Sequence, residues 1–239
     1  MTIEESIQQA QRWVESRIEI ISKIDDERFR RILFLSLIDA FAQNHSNFQK
    51  HNQKEFSDFL YIYASSRWPF LKYICPVTLF NYYSDRFQKN VLSIHLTNGR
   101  IYVADASEMK AEGERIRKFL LDQGIKDNDI QKHTYANLVY AMRNKLAHEL
   151  TIPGSRIDLR YDASNKIPNV SQEHKQYYDA SSKSFKITEA NWNLHIPEQF
   201  LQDLLTESSS QYLNACRVNS IIPFSNHSYG RKFYFAWYD

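Results

Sequence analysis

The sequence is poor in the residues that mark several classes of protein. It has 5 glycines and 6 prolines in 239 residues, too few for collagen-like, linker-rich or repeat architectures. Its two cysteines, Cys75 and Cys216, lack the spacing of a disulfide framework, which fits a reducing compartment. The longest apolar run, ILFLSLIDAFA, is well short of the roughly 20 residues that span a bilayer, and the N-terminus has no secretory pattern. We therefore expect a soluble, cytoplasmic protein with no membrane partner.

Charge and missing motifs exclude further functions. The 30 Lys and Arg against 28 Asp and Glu give a formal net charge of +2, so no overall positive field indicates a nucleic-acid partner, although a local basic patch is compatible with the sequence. No phosphate-loop or dinucleotide-binding glycine motif is present. The histidines show no metal-ligand spacing with one another or with the cysteines. We expect neither a cofactor nor a metal.

Most of the chain has the pattern of amphipathic helices. Hydrophobic residues make up 43% of it and aromatic residues 14%, enough for a packed core. Apolar residues recur at steps of three and four. Asp25 and Asp26 are candidate caps for the second helix, which is apolar around most of its circumference and should be central and largely buried. Gly124 should close a later helix. The pattern predicts helices at residues 3–24, 27–43, 55–67, 76–87, 109–124, 127–150 and 197–217.

The character of the chain changes after residue 154. Residues 156–161 and 177–196 have β-type patterns between polar segments, and Asn98-Gly99 between two β-prone runs predicts a hairpin. The predicted fold class is mainly α, with a small β-containing insertion before the last helix. We predict a single domain, in which a helical bundle of residues 1–150 and 197–217 carries an insertion at 155–196 and an aromatic C-terminal tail at 218–239.

One short motif, RNKLAH at residues 143–148, concentrates side chains that can perform chemistry. Asn144 and His148 are i,i+4 neighbours and share a helix face. Arg143 and His148 are separated by about 140° on an ideal helix, so a site that uses both needs a distorted helix end or a second copy of the helix. The apolar stripe of this helix is Leu138, Met142, Leu146 and Leu150, and its polar stripe is Asn137, Tyr140, Asn144 and His148.

The motif allows a catalytic and a structural interpretation. A histidine exchanges protons near pH ~6.5, and a guanidinium matches the oxygens of a phosphate. With an asparagine to orient them, these groups suit RNA cleavage by internal attack of the 2′-OH, without a metal. Alternatively, Arg143, Lys145 and His148 are a solvated helix end whose positive charge favours the helix dipole. The residues alone leave both interpretations open.

Asp39 stands out because it lies in an apolar helix, where an unpaired carboxylate would be costly. It would raise the pKa of the motif histidine if it paired with Arg143 or His148. A pair with another cationic side chain, or partial exposure to solvent, explains Asp39 equally well.

The motif resembles one known family. Arg143-Asn144-Lys145-Leu146-Ala147-His148 resembles the R-x(4–6)-H motif of HEPN (higher eukaryotes and prokaryotes nucleotide-binding) domains, including the polar residue directly after the arginine. FLSLIDAFAQ, residues 34–43, resembles the second long helix of such domains, and the helix at 197–217 would close the bundle. The resemblance covers residues 1–150 and 197–217 in architecture but six residues in motif. It implies a HEPN-like up-down helical bundle.

The resemblance implies a function for the motif. HEPN ribonucleases are metal-independent, and two motif helices usually meet across a homodimer to form the site. His148 would be the acid/base, Arg143 the phosphate contact and Asn144 an orienting group, with Tyr140 and Asp39 as supporting residues. The implied partners are an RNA substrate, a second copy of the chain, and a cognate antitoxin or defence-system protein.

One residue after the motif departs from a subgroup of the family. HEPN toxins that are silenced by adenylylation carry a tyrosine two residues after the motif histidine, where this chain has Leu150; the sequence therefore argues against that subgroup. The alternative function is a non-catalytic helical interaction or nucleic-acid-binding module that kept the motif for structural reasons. The aromatic clusters RWPFLKY, 67–73, and KFYFAWYD, 232–239, are either core and interface or surfaces that stack single-stranded bases.

Overall fold

The described part of the chain is mainly helical, as the sequence predicts. The computed structural model describes residues 2–46, 53–84, 86–87, 100–102, 107–149, 168–179 and 184–224. None of its helices combines the length and apolar character needed to cross a bilayer. The helices are α1 (Ile3–Ser22), α2 (Glu27–His45), α3 (Gln53–Tyr63), the 3-10 helix η1 (Pro69–Lys72), α4 (Pro76–Tyr83), α5 (Ser107–Asp122), α6 (Asp127–Gln131), α7 (Tyr135–Glu149) and α8 (Glu198–Val218).

Local signals set several helix ends. At the start of α1 the Thr2 hydroxyl accepts from the Glu5 N–H at 3.2 Å and the Glu5 carboxylate accepts from the Thr2 N–H at 2.6 Å, a capping box. The predicted cap Asp26 starts α2 by accepting from the N–H groups of the next turn. Gly124 follows α5 with φ +78°, and the Ile125 N–H bonds back to the Leu120 carbonyl at 3.0 Å. This confirms Gly124 as the residue that closes α5.

The chain divides into two compact units, residues 1–67 with 201–239, and residues 68–200. The first unit contains α1, α2, α3 and most of α8, and α2 contacts both α1 and α3. The predicted single-domain organisation and HEPN-like bundle stay predictions. The fully buried apolar side chains of this unit include Ile7, Ala10, Phe34, Leu35, Ile38, Phe56, Phe59, Leu60, Leu201, Leu204 and Leu205.

Helix α2 is less buried than its composition suggests. Phe29 is 51% exposed and Leu33 is 38% exposed, whereas Phe34 and Ile38 are fully buried. The exposed pair lies one helical turn apart on a face pointing away from the buried stripe. The expectation of a largely buried helix is therefore wrong for this face, because an apolar side chain on a helix need not face a core.

The second unit combines helices with a three-stranded antiparallel sheet. Its strands are β1 (Arg100–Tyr102), β2 (Asn169–Asp179) and β3 (Ser184–His195), in the order β1-β2-β3. The long pair runs from Asn169 opposite His195 to Asp179 opposite Ser184. Both long strands lie within the predicted insertion 155–196; β3 falls in the strand segment predicted at 177–196, whereas most of β2 is not predicted as a strand. The predicted strand at 156–161, the Asn98-Gly99 turn and the tail segment 232–239 lie outside the described residues.

The helix predicted at 127–150 is two helices, α6 and α7, with a break at Lys132–Thr134. An extended segment around Ile74 causes the break, because it competes for the backbone of this stretch. The Cys75 N–H donates to the His133 carbonyl at 2.9 Å, and the Tyr135 N–H donates to the Tyr73 carbonyl at 3.0 Å. The prediction of one continuous helix is wrong, since side-chain periodicity cannot report a backbone bridge formed with a distant segment.

The same extended segment is held from its other side by α5. A Cβ at Gly113 would lie 2.4 Å from the Ile74 carbonyl oxygen, so only glycine allows α5 to approach this closely. Beside it, Trp68 packs on Phe200 with ring centroids 5.3 Å apart, and Phe70 packs on Tyr135 at 5.6 Å. Trp68 and Phe70 are both buried. The 67–73 cluster therefore contributes to the core that fixes the start of α7, rather than to an open stacking surface.

Candidate functional site

The motif residues lie on the last turns of α7, in the second unit. The side of α7 that faces the core carries Leu138, Met142 and Leu146, which are 6%, 0% and 0% exposed. The polar stripe behaves differently, since Tyr140 and Asn144 are each only partly buried. Helix α7 therefore has a buried apolar face and a partly exposed polar face over its described length, as the sequence predicts.

Arg143 and Asn144 form a direct contact. The Arg143 Nη1 donates to the Asn144 Oδ1 at 3.0 Å, and both side chains are partly buried. Successive helical side chains diverge by about 100°, so this hydrogen bond draws the guanidinium around the helix toward the side of Asn144. A guanidinium carries a permanent positive charge and is suited to phosphate oxygens, so its orientation by Asn144 bears on the proposed chemistry.

His148 occupies the last turn of α7, one turn beyond Asn144. The two positions are about 40° apart around the helix axis, so Asn144 and His148 share a face of α7. For His148 and Glu149 the structure describes the backbone alone. The roles predicted for the His148 side chain therefore stay predictions.

The start of the polar stripe has a structural task. The Asn137 Nδ2 donates to the Gln131 carbonyl at 2.6 Å, which ties the first turn of α7 to the end of α6. Tyr140 lies between Asn137 and Asn144 on the stripe and is partly exposed. Of the stripe residues, Asn137 thus serves the fold and Asn144 serves Arg143.

Asp39 belongs to α2 in the first unit, whereas the motif belongs to the second. It is 3% exposed, and its Oδ2 accepts from the Gln43 Nε2 at 3.0 Å, one turn along the same helix. Partial exposure is therefore the wrong explanation of this carboxylate. The predicted pairing of Asp39 with Arg143 or His148 stays a prediction.

A second polar cluster, which the sequence interpretation missed, lies at the C-terminal end of α2. Asn44 is 4% exposed, and its Oδ1 accepts from the Tyr212 hydroxyl and, at 3.1 Å, from the Phe224 N–H. His45 Nδ1 and the Tyr63 hydroxyl are joined by a hydrogen bond of 3.2 Å. The sequence stretch beginning at Asn44 resembles a loop, because its side chains are polar. Its tyrosine partners, the half-buried Tyr63 of α3 and the buried Tyr212 of α8, are distant in sequence.

Burial controls the ionisation of this cluster, which we call the Asn44 cluster (Asn44, His45, Tyr63, Tyr212). Desolvation lowers the pKa of His45, and the nearby Asp58 carboxylate only partly opposes this. Desolvation also raises the pKa of Tyr63 and, strongly, that of Tyr212. All of its titratable members are thus held in their neutral forms near neutral pH, which suits a structural cluster better than a charged site.

The donor sets of the described residues include no group of three or more His, Cys, Asp or Glu that could hold a metal ion. Both cysteines are buried thiols, and burial raises the pKa of each.

No family model, curated protein or solved structure matches this chain. A functional proposal must therefore rest on the residues themselves, and the Arg143–Asn144 pair is the partly exposed cationic group with a defined partner in the motif.

Proposed function

We propose that this chain is a metal-independent endoribonuclease of HEPN type. In this proposal the RNA 2′-OH attacks the neighbouring phosphate at a composite site in a homodimer. The observation that carries it is the contact between Arg143 and Asn144 on the partly exposed polar stripe of α7, where Asn144 accepts from the guanidinium on the helix face that the His148 position shares. His148 is the general acid/base, Arg143 contacts the phosphate as negative charge develops, and Asn144 orients Arg143.

The geometry of one helix supports the need for a second chain. The reaction needs one group to remove the proton of the 2′-OH and another to protonate the leaving 5′-oxygen on the opposite side of the phosphorus. Each chain supplies one motif imidazole, His148. Two histidines, one from each chain, divide these tasks. The proposed partners are accordingly an RNA, a second copy of this chain and a cognate antitoxin or defence-system protein, with toxin or anti-phage defence as the proposed biological role.

The test is RNA cleavage by the purified full chain in the presence of EDTA. We expect products with 2′,3′-cyclic phosphate ends, and we expect His148→Ala to lower the cleavage rate by about 100- to 10,000-fold. Lys145→Gln is the matched control, because Lys145 is an exposed cationic residue within the same motif. Its rate should stay within a few-fold of the parent.

Stability and association separate catalysis from the alternative interaction module. His148→Ala should unfold at the same urea concentration as the parent, and sedimentation should show a dimer at assay concentrations. The proposal is wrong if His148→Ala cleaves normally, if the variant loses its fold, or if the active species is a monomer.

A further inference from the structure

Tyr82 at the end of α4 is 69% exposed, more than any other aromatic side chain among those whose burial the structure describes. Its ring nevertheless has a defined environment. It contacts the Tyr83 ring edge-on at a centroid distance of 4.9 Å and the His133 ring at 5.2 Å. Tyr83 is buried in an apolar cluster that includes Ile74 and Leu79, and the His133 carbonyl accepts from the Cys75 N–H. An exposed ring with fixed neighbours loses little conformational entropy when a ligand stacks on it.

The imidazole of this group is uncharged at neutral pH. Burial lowers the pKa of His133 to about 4, and the adjacent Lys132 ammonium adds to the effect. The two rings, Tyr82 and His133, therefore form a neutral aromatic surface, which we call the Tyr82 platform. Neutral aromatic surfaces are the surfaces on which unpaired bases stack.

Two cationic side chains, Lys132 and Arg86, lie near the tyrosines of this group. Lys132 is 60% exposed and ion-pairs with Asp129 at 2.8 Å; its ammonium also lies close enough to the hydroxyls of Tyr82 and Tyr83 for both to raise its pKa, after the larger effect of Asp129. Arg86 is exposed, and its charge lowers the otherwise raised pKa of Tyr83. Among the described residues, the charged groups that interact with these rings are Lys132, Arg86 and Asp129, and the cations favour an anionic strand over a purely apolar partner.

We propose that the Tyr82 platform stacks an unpaired base of a single-stranded RNA, with Arg86 and Lys132 near the flanking phosphates. The inference rests on the proposed ribonuclease function for the identity of the strand as the substrate. The platform and the motif belong to the same unit and are linked by α7, whose axis rises by about 12 Å between Tyr135 and Arg143. A single strand can cover that distance with a few nucleotides, so one RNA can contact both.

The experiment measures binding apart from cleavage. The full chain carrying His148→Ala is titrated against a fluorescein-labelled single-stranded oligouridylate of about 12 nucleotides, by fluorescence anisotropy at low salt. Adding Tyr82→Ala should weaken binding about tenfold, the typical effect of one stacked base. Tyr82→Phe should retain the affinity, because the ring and not the hydroxyl makes the stack. Lys132→Gln should reduce the salt dependence of binding.

Phe29→Ala is the matched control, since Phe29 is also an exposed aromatic ring and belongs to the first unit. It should bind the oligonucleotide like the parent. Equal affinity of the Tyr82→Ala protein overturns the inference and assigns the platform to another kind of partner, such as a protein. A preference for duplex over single-stranded RNA overturns it as well. If the parent chain cleaves no RNA but Tyr82→Ala still weakens binding, the ribonuclease proposal fails and the platform stands.

Discussion

Two asparagines near helix C-termini, Asn44 in α2 and Asn144 in α7, have opposite surroundings. Asn44 is 4% exposed and accepts from two donors, the Tyr212 hydroxyl and the Phe224 N–H. Asn144 is partly exposed and accepts from one donor, the Arg143 guanidinium. Both have a histidine within the following turn, His45 and His148. The sequence context of the two is similar, and their packing is not.

The difference indicates which amide serves the fold and which can serve chemistry. A buried amide that satisfies buried donors stabilises the native state, because its loss leaves those donors without water or protein to bond. A partly exposed amide that positions a cation has little effect on folding, since water replaces it at small cost. The Asn44 cluster should therefore govern stability, and the Arg143–Asn144 pair should govern activity. Each substitution below tests one side of that division.

The largest effect is expected from the Arg143–Asn144 pair, measured as the rate of RNA cleavage. Arg143→Ala should lower the rate by about 100- to 1,000-fold, as does the loss of one group that stabilises transition-state charge. Arg143→Lys should recover little, because an ammonium lacks the planar set of donors. Asn144→Ala should lower the rate about tenfold, since a hydrogen bond to a charged group is lost.

A double variant shows whether the two residues act together. If Asn144 acts through Arg143, adding Asn144→Ala to Arg143→Ala should change the rate no further. All three variants should unfold at the urea concentration of the parent. Independent, multiplying effects on the rate would contradict the positioning role assigned to Asn144.

The next effect concerns the free energy of unfolding. Asn44→Ala removes the acceptor used by the Tyr212 hydroxyl and the Phe224 N–H, and we expect it to lower the stability by about 2 kcal/mol. Urea denaturation followed by circular dichroism measures this change. Asn144→Ala is the control and should stay within about 0.5 kcal/mol of the parent. Equal losses of stability in the two variants would contradict the assignment of Asn44 to stability and Asn144 to activity.

Periodicity and capping rules predict much of the helical framework. Asp26 and Gly124 mark helix ends because their chemistry acts within one turn. The stripe formed by Leu138, Met142 and Leu146 is buried as predicted, because helical spacing fixes which side chains share a face. These features depend on residues that are close in the chain, and for that reason a single sequence contains them.

What the sequence could not provide depends on contacts between distant segments. The break before α7 follows from hydrogen bonds between residues 73–75 and 133–135. The polarity of Asn44 suggests a loop, whereas its burial is explained by its distant donors, the Tyr212 hydroxyl and the Phe224 N–H. In the dipeptide Tyr82-Tyr83 the first ring is exposed and the second is buried, and two identical neighbouring residues give no sequence signal that distinguishes them. The sequence motif predicts the candidate site, whereas the hydrogen bond between Arg143 and Asn144 could be found only from the positions of the side chains.

The smallest expected effect is a pH dependence of stability from the Asn44 cluster. Burial lowers the pKa of His45 in the folded chain, so between about pH 6.5 and that lower value the unfolded chain binds more protons than the folded chain. The stability should therefore be greatest above about pH 6.5 and fall as the pH decreases through this window. His133, whose pKa is about 4, contributes in the same direction from the second unit.

His45→Gln separates the two contributions, because glutamine can still accept from the Tyr63 hydroxyl but does not titrate. Urea denaturation of the variant should show a smaller loss of stability from about pH 7.5 to about pH 5 than the parent shows, with the remainder due to His133. His133→Gln is the matched variant for that remainder. A parent whose stability rises on acidification would contradict the sign argued for both histidines. If His45→Gln kept the full pH dependence of the parent, His45 would have to be solvated, and the Asn44 cluster would then be as open as the site on α7.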